Sequence, residues 1–274
     1  MHRLLLAVAL VATAFSCQKN TVTGRKQLIL INESELQQMS GSEYRQFLTK
    51  NKVVANGASK EQEMVDRVGR RIAAAVGEFV KSQGKPELLN GYKWEFNLVD
   101  SKEINAWCMP GGKVVVYTGL LPIAKDESGL AVVMGHEIAH AVAKHGNERM
   151  SQGLLQQMGG VALSVAVSSK PAMTQQLFMD AYGVGSAVGG TLPFSRKHEL
   201  EADRFGLIFA AHAGYDPREA VPFWSRMAAA GGGAKPAELF STHPSDETRI
   251  AKVNEYAKEA IKYYKQTGNQ VTVK

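Results

Sequence analysis

The chain has 274 residues, a formal net charge of +6 and 45% hydrophobic residues. Its lysines and arginines are scattered, without a sustained basic run or interleaved aromatic residues, which argues against a nucleic-acid-binding groove and against nucleic-acid partners. Its 2 cysteines exclude a disulfide framework, so a chain of this length must hold itself together by one sizeable core.

The first 17 residues have the character of a targeting segment. Arg3 gives a short basic start, and residues 4–15 form an apolar stretch too short to cross a bilayer. Cys17 follows small residues as in a bacterial lipobox, although Phe15 is bulky and Ala14 stands where leucine is usual. We therefore expect residues 1–17 to be a signal peptide with a lipobox-like cleavage site and Cys17 to be lipidated. The protein would then lie on the periplasmic side of the bacterial cell envelope, anchored to a membrane by its lipid; the alternative is cleavage and release.

Residues 18–32 are expected to be a polar tether, and residues 33–274 a single domain without an internal repeat. A first helix is predicted from Glu33 to Lys50. Apolar residues from Met64 to Val80 then recur at helical spacing, which predicts a second, amphipathic helix.

A small β-sheet is predicted next. Apolar residues alternate with polar ones from Tyr92 to Leu98, and a second strand, residues 113–118, follows a turn at residues 110–112. An edge strand leaves N–H and C=O groups to which an extended peptide can bind. Asn105, Ala106 and Trp107 are therefore the predicted substrate-binding edge, and the alternative is an ordinary hairpin.

The pentapeptide His136-Glu137-Ile138-Ala139-His140 lies in an apolar segment that predicts a buried helix, capped by Asp126 or Ser128 and ended by Gly146. Histidines four residues apart lie on one helix face, and both can bind one zinc ion at about 2.0–2.1 Å. Glu137 can then act as a general base on a water at the metal. The alternative is a pair of ordinary core histidines.

A catalytic zinc usually takes three protein ligands. The metzincin pattern is excluded, because Ala143 and Gly146 stand where it requires glycine and histidine. His145 does not supply the third ligand either, because at about 100° per residue it points about 140° away from His140. The third ligand must therefore come from elsewhere in the chain.

A helix that opens near Ser195 can supply that ligand. Glu199 and Asp203 are four residues apart and share a face, so Glu199 can bind the metal while Asp203 accepts a hydrogen bond from a ligand imidazole. The other charged residues of this helix start are expected to form a solvated face; they are Arg196, Lys197 and Glu201.

Residues 153–192 are rich in glycine, alanine and methionine and predict two helices that flank residues 168–171. Two interpretations stay open: close helix packing over the active-site face, or mobile helices that border the cleft and admit varied substrates. Further helices are predicted around Phe223, Trp224 and Met227 and from Ile250 to Tyr264.

The motifs HEIAH and ELEAD resemble those of HtpX-like and CAAX-prenyl-endopeptidase-type gluzincin metallopeptidases, in particular their small envelope lipoprotein members. The resemblance runs from about residue 20 to about residue 260 and includes residues 23–27, 105–112 and 241–245 followed by Arg249. It implies one zinc ion held by His136, His140 and Glu199, with Glu137 catalytic. With the predicted elements, the fold class is α+β, predominantly helical: a zincin-type catalytic domain with a small β-sheet upstream of the HExxH helix.

The predicted function is zinc-dependent hydrolysis of internal peptide bonds in misfolded or damaged cell-envelope proteins, with polypeptides as substrates. The predicted donor to the developing oxyanion is His243, and Arg249 is the second candidate. Cys108 is expected to be a small buried hydrophobic residue. The alternative function is a zinc-binding, chaperone-like envelope protein without cleavage, which would have no need of Glu137.

Overall fold

The computed structural model describes residues 17–158, 171–182, 195–231 and 247–264. Residues 1–16 of the predicted signal peptide lie outside these ranges. Within them, the protein has the expected α+β fold, mostly helical, with a small sheet ahead of the helix that carries His136 and His140. None of the helices described here combines the length and apolar character needed to cross a membrane.

The strands are short and the helices account for most of the fold. The strands are β1 (Cys17–Lys19), β2 (Lys26–Leu28), β3 (Glu95–Val99), β4 (Ala106–Met109) and β5 (Lys113–Tyr117). The helices are α1 (Glu33–Lys50), α2 (Lys60–Ser82), α3 (Leu121–Ala124), α4 (Glu127–Val142), α5 (His145–Met158), α6 (Pro171–Tyr182), α7 (Arg196–His212), α8 (Ala220–Gly231) and α9 (Glu247–Ala260).

The larger sheet has the strand order β3-β5-β4, with β5 parallel to β3 and antiparallel to β4. The predicted turn at residues 110–112 and the strand after it are therefore confirmed, and Gly111 and Gly112 lie in this turn at φ 79° and 81°. The strand predicted from Tyr92 instead begins at Glu95, because the residues before it run beside this turn; the Lys93 N–H donates to the Gly111 carbonyl at 2.9 Å.

Both faces of this sheet are buried, each by a different core. Successive side chains of a strand point to opposite faces, so each strand contributes to both cores. Along β5, Val114 and Val116 belong to the larger core, which they share with α2, α4 and α7. Val115 and Tyr117 face the other way into a smaller core with α1, α5 and α6. The zinc-helix candidate α4 thus packs on one face of the sheet, next to β4.

Helices α4 and α7 cross at two glycines. A Cβ atom on Gly206 would lie 2.7 Å from the backbone nitrogen of His136, and one on Gly135 would lie 2.6 Å from the carbonyl oxygen of Gly206. Larger residues do not fit at this distance. The crossing therefore brings the helix that carries the histidines directly against the helix that carries Glu199.

Helix α4 begins as predicted, with the Asp126 carboxylate accepting a hydrogen bond from the Gly129 N–H at 2.9 Å. Its predicted end at Gly146 is wrong. The helix stops at Val142, Lys144 adopts a left-handed φ of 57°, and α5 begins at His145. Because of this turn, His145 does not continue the helical wheel of α4.

The segment predicted as a tether is folded against the end of α4. Strands β1 and β2 form an antiparallel hairpin. The side-chain amides of Asn20 and Gln27 both donate to the carbonyl oxygen of Ala143, at 2.8 and 2.9 Å. The chain ahead of α1 therefore fixes the C-terminal end of the helix that carries the histidines.

The structure describes parts of the segment 153–192. Two helices are present, as predicted, although the first begins earlier, at His145, and the second starts at Pro171. Residues 159–170 and 183–194, which include most of the predicted connection at residues 168–171, lie outside the described ranges.

Candidate metal centre

Three buried side chains from two helices meet at one point. The Nε2 atoms of His136 and His140 are 3.1 Å apart. The Glu199 carboxylate oxygens lie 3.5 Å from His136 Nε2 and 3.3 Å from His140 Nε2. Donors placed about 2.0–2.1 Å from a tetrahedral zinc ion are about 3.3 Å from one another, so this set fits zinc. Two imidazoles and one carboxylate also form the donor set of catalytic zinc sites that keep a fourth position open.

Helix α7 presents two carboxylates to this centre. Its start is fixed by Ser195, whose hydroxyl accepts a hydrogen bond from the His198 N–H at 3.3 Å. One helical turn past Glu199, an Asp203 oxygen lies 2.9 Å from His136 Nδ1. Asp203 therefore holds the Nδ1 proton and directs the Nε2 lone pair of His136 to the metal position.

The pKa of His136 reflects these carboxylates. Burial opposes its protonation, but the bonds to Asp203 and Glu199 raise its pKa to about 9. A metal ligand must be deprotonated, so zinc binding here is expected to release a proton.

Arg249 of α9 bridges the carboxylates of Glu199 and Asp203. Its guanidinium lies 2.9 Å from Glu199 and donates to both Asp203 oxygens at 2.7 and 2.9 Å. It also stacks 4.1 Å above the Trp224 ring, which packs edge-on against His136. Burial opposes the charge of Arg249, but the charges of Asp203 and Glu199 raise its pKa above the ordinary value. This arrangement makes Arg249 a support of the ligands, in contrast to the predicted oxyanion role.

His145 contacts His140 after all. The two Nδ1 atoms are 3.0 Å apart, and His145 Nε2 lies 2.9 Å from a Glu201 oxygen. The expectation that His145 points away from His140 is therefore wrong, because the helix ends at Val142 and the turn at Lys144 redirects His145. Burial lowers the pKa of His145 to about 4, so its imidazole is neutral at neutral pH.

The expectation of a solvated Glu201 is also wrong. Its side chain is 16% exposed and accepts a bond from Arg25 Nε at 2.7 Å. Arg25 binds Glu148 with two further nitrogens, at 2.7 and 2.6 Å, and His198 Nε2 lies 3.0 Å from the same carboxylate. Burial raises the pKa of Glu148, but Arg25 and His198 outweigh it and lower the pKa to about 2. Arg196 and Lys197 are exposed, as predicted.

Glu137 is buried and follows His136 on α4. Burial raises the pKa of the Cys108 thiol on β4, and the negative charge of Glu137 raises it further. Cys108 is a free, buried cysteine, as expected. The helix that carries this general-base candidate packs against β4, the strand predicted to align the substrate.

The register of β4 shows which backbone groups face outward. The Tyr117 N–H donates to the Asn105 carbonyl at 3.1 Å, so Asn105 and Trp107 direct their backbone groups to β5. Ala106 and Cys108 therefore face the other side, where the Ala106 N–H is bound by the Asn105 side chain at 2.9 Å. The Trp107 indole packs in the core against Phe47. An incoming strand would meet Ala106 and Cys108 rather than Trp107.

His243, the predicted oxyanion donor, lies outside the described residues, so its role stays a prediction. Sequence reasoning missed three supporting residues: Arg25, His145 and Trp224. Arg25 belongs to the stretch 23–27 that supported the family resemblance, which was the one signal in its favour.

Two histidines one turn apart on a buried helix and a glutamate from a second helix define a zinc metallopeptidase site of the gluzincin type. Residues 59–257 match Peptidase family M48, and the chain belongs to this family. The match confirms the predicted class of protein and its zinc cofactor.

Individual relatives agree with this assignment. The chain is 38% identical over 197 residues to the mitochondrial metalloendopeptidase OMA1 of Schizosaccharomyces pombe, covering 72% of this chain and 53% of the relative. It is 30% identical over 250 residues to the human metalloendopeptidase OMA1, covering 88% and 46%. It is 30% identical over 164 residues to the beta-barrel assembly-enhancing protease of Escherichia coli, covering 58% and 33%. The chain thus matches about a third to a half of these relatives' lengths.

Proposed function

We propose that the protein is a zinc-dependent endopeptidase that hydrolyses internal peptide bonds of misfolded or damaged cell-envelope proteins. The observation that carries the reaction is the buried set of His136, His140 and Glu199, with Glu137 directly after the first histidine. Family membership and the relatives' names, which describe endopeptidases and proteases, support the same reaction.

The chemistry divides between the metal and the chain. Zinc bound here supplies polarisation of the scissile carbonyl and lowers the pKa of the attacking water towards 7. Glu137 is not among the three donors; its carboxylate takes a proton from that water and delivers it to the leaving amine. A donor must also meet the negative charge that develops on the carbonyl oxygen, and His243 is the proposed donor.

The substrate is proposed to lie extended along β4. The support is the position of this strand, at an edge of the sheet and beside α4. Ala106 and Cys108 direct their backbone groups away from β5, so these two residues pair with the substrate. When the substrate binds, the hydrogen bond from the Ala106 N–H to the Asn105 side chain is broken and this N–H becomes available. A structure with a bound peptide inhibitor tests this; main-chain bonds to another segment alone would contradict it.

The envelope location is proposed from the N-terminal sequence, in which Cys17 carries a lipid that anchors the protein to a membrane. The name of one relative, a beta-barrel assembly-enhancing protease of Escherichia coli, is the further support for this proposal. Labelling cells with a fatty-acid analogue should mark the wild-type protein and not a Cys17→Ser variant, and an unlabelled wild type would rule out the anchor.

The test of the enzymatic proposal is Glu137→Gln. This change keeps the size of the side chain and removes its ability to accept a proton, so the variant should fold and bind one zinc ion. Its cleavage of an unfolded protein such as casein should fall by about 10²–10⁴-fold. The matched control is Glu103→Gln in an exposed loop. This control should cleave like the wild type, and a chelator should stop cleavage by the control and by the wild type.

Two results would contradict the proposal. Zinc-loaded Glu137→Gln that cleaves at the wild-type rate would refute the role of Glu137. A wild type that binds zinc and suppresses aggregation of unfolded proteins without cutting them would favour the chaperone-like alternative.

A further inference from the structure

We propose that His145 is a positioning residue of the zinc centre, which holds His140 in its zinc-binding tautomer and is itself held by Glu201 and Arg25. The inference rests on the proposed zinc site and extends it to residues outside the two motifs. It follows from one continuous set of contacts, from His140 to the N-terminal hairpin.

The position of the His140 ring proton follows from the direction of its Nε2 atom. Its Nε2 faces Glu199 and His136, so this nitrogen must offer a lone pair to the metal, and the ring proton must sit on Nδ1. The Nδ1 atom lies 3.0 Å from Nδ1 of His145. His140 therefore donates this hydrogen bond, and His145 accepts it with a bare Nδ1.

Glu201 fixes the tautomer of His145. With its Nδ1 used as an acceptor, its proton sits on Nε2, which lies 2.9 Å from Glu201 Oε2 and donates to it. His145 is fully buried, so water does not compete for these bonds. Only one tautomer of each ring satisfies both contacts, and the carboxylate at the end decides which one it is.

Arg25 anchors the carboxylate of Glu201. Arg25 binds Glu201 through Nε at 2.7 Å and through a second nitrogen at 3.1 Å. Two nitrogens of the same guanidinium donate to the two carboxylate oxygens of Glu148 in α5, the helix that begins with His145. Arg25 thereby ties α5 and α7 together at the point where His145 sits.

The two histidine ligands are therefore supported differently. Asp203, a carboxylate, binds His136 directly, whereas His140 reaches its carboxylate through an intervening imidazole. The support of His140 also depends on the hairpin of β1 and β2, which carries Arg25 and lies ahead of the family match at residues 59–257.

The experiment measures zinc affinity by competition with a chromogenic chelator on the purified full chain. His145→Ala removes both hydrogen bonds and should weaken zinc binding by about 10–100-fold. His145→Asn can place its side-chain oxygen where Nδ1 was, so it should restore part of the lost affinity. His212→Ala is the matched control, since it removes a histidine from the far end of α7 and should bind zinc like the wild type.

A second readout separates positioning from general stability. The wild type and variants are loaded with Co²⁺, whose visible spectrum reports the ligand geometry, and the melting temperature of each zinc-free protein is measured. His145→Ala should change the cobalt spectrum while His145→Asn returns it towards that of the wild type. If His145→Ala does not fold, Arg25→Met takes its place; it should weaken zinc binding in the same direction, but less.

The outcomes distinguish this inference from the proposed function. Unchanged zinc affinity and cobalt spectra in folded His145→Ala, or in Arg25→Met where it replaces that variant, would overturn the inference and leave the peptidase proposal intact. Weaker zinc binding in the variants, together with a wild type that binds zinc and cleaves nothing, would retain the inference and refute the activity. Equal weakening by His145→Asn and His145→Ala would also overturn the tautomer argument.

Discussion

At the scale of single residues, the centre depends on buried charges that compensate one another. Arg249 is 4% exposed and lies between Asp203 and Glu199, so its charge offsets part of the negative charge of two carboxylates that are themselves removed from water. A buried charge that loses its partner is costly, because the remaining group keeps its desolvation penalty. Arg249 should therefore matter most when no metal is bound.

We expect Arg249→Met to lower the free energy of unfolding of the zinc-free protein by about 3–5 kcal/mol. Zinc bound to Glu199 supplies positive charge, so saturating zinc should recover part of this loss. The matched control is Arg204→Met, which removes the two hydrogen bonds from Arg204 of α7 to Glu259 of α9 at the surface. This change should cost no more than about 1 kcal/mol. Denaturant titrations with and without zinc measure both; equal losses for the two variants would contradict this view of Arg249.

The same scale shows what the sequence could predict of the site. The pairs His136/His140 and Glu199/Asp203 each have a spacing of four, and a regular helix brings such pairs together whatever surrounds them. The contact of His140 with His145 could not be predicted, because it depends on one left-handed residue, Lys144. The contact of Arg25 with Glu201 joins residues that are 176 positions apart in the sequence, and no local pattern encodes it.

At the scale of elements, the crossing of α4 and α7 sets the distance between the ligands. The two helices touch through Gly135 and Gly206, one residue before His136 and one turn past Asp203. A side chain at either position would push the helices apart. Since Glu199 approaches the histidines only through α7, such a shift would also open the zinc centre.

Gly206→Ala should therefore lower stability by about 1–3 kcal/mol through overpacking and weaken zinc binding as well. Gly77→Ala provides the control, because Gly77 lies in helix α2 with no atom within 4 Å of the added Cβ. This control should gain about 0.5–1 kcal/mol from helix propensity and bind zinc normally. Thermal denaturation and chelator competition give both values; a Gly206→Ala protein with wild-type stability and zinc affinity would show that the crossing is not tight.

Most elements could be predicted because their patterns are local. The start of α7 at Ser195 and the hairpin of β4 and β5 follow from capping and turn residues. The parallel pairing of β3 with β5 was not predicted, since the two strands are separated by β4 and no short-range signal joins them. The folded hairpin at residues 17–28 was missed for a related reason: its bonds go to Ala143, far along the chain.

At the scale of the whole molecule, the centre gathers four distant parts of the chain. Arg25 comes from the N-terminal hairpin, the histidines from α4 and α5, the carboxylates from α7, and Arg249 from α9. A metal bound to such a centre binds the folded protein only, so it should stabilise the whole domain. The class of enzyme could be predicted because its ligands lie in two short motifs, whereas the support around them is a property of the fold.

The central claim is that His136, His140 and Glu199 bind one zinc ion. Anomalous diffraction at the zinc absorption edge, on crystals of the full chain, tests it most directly. The account predicts one strong peak per chain, about 2.0–2.2 Å from both Nε2 atoms and from a Glu199 oxygen, with Glu137 beside the metal but not bound to it. A peak bound elsewhere, or a zinc ion ligated by the histidines while Glu199 stays out of bonding distance, would contradict it.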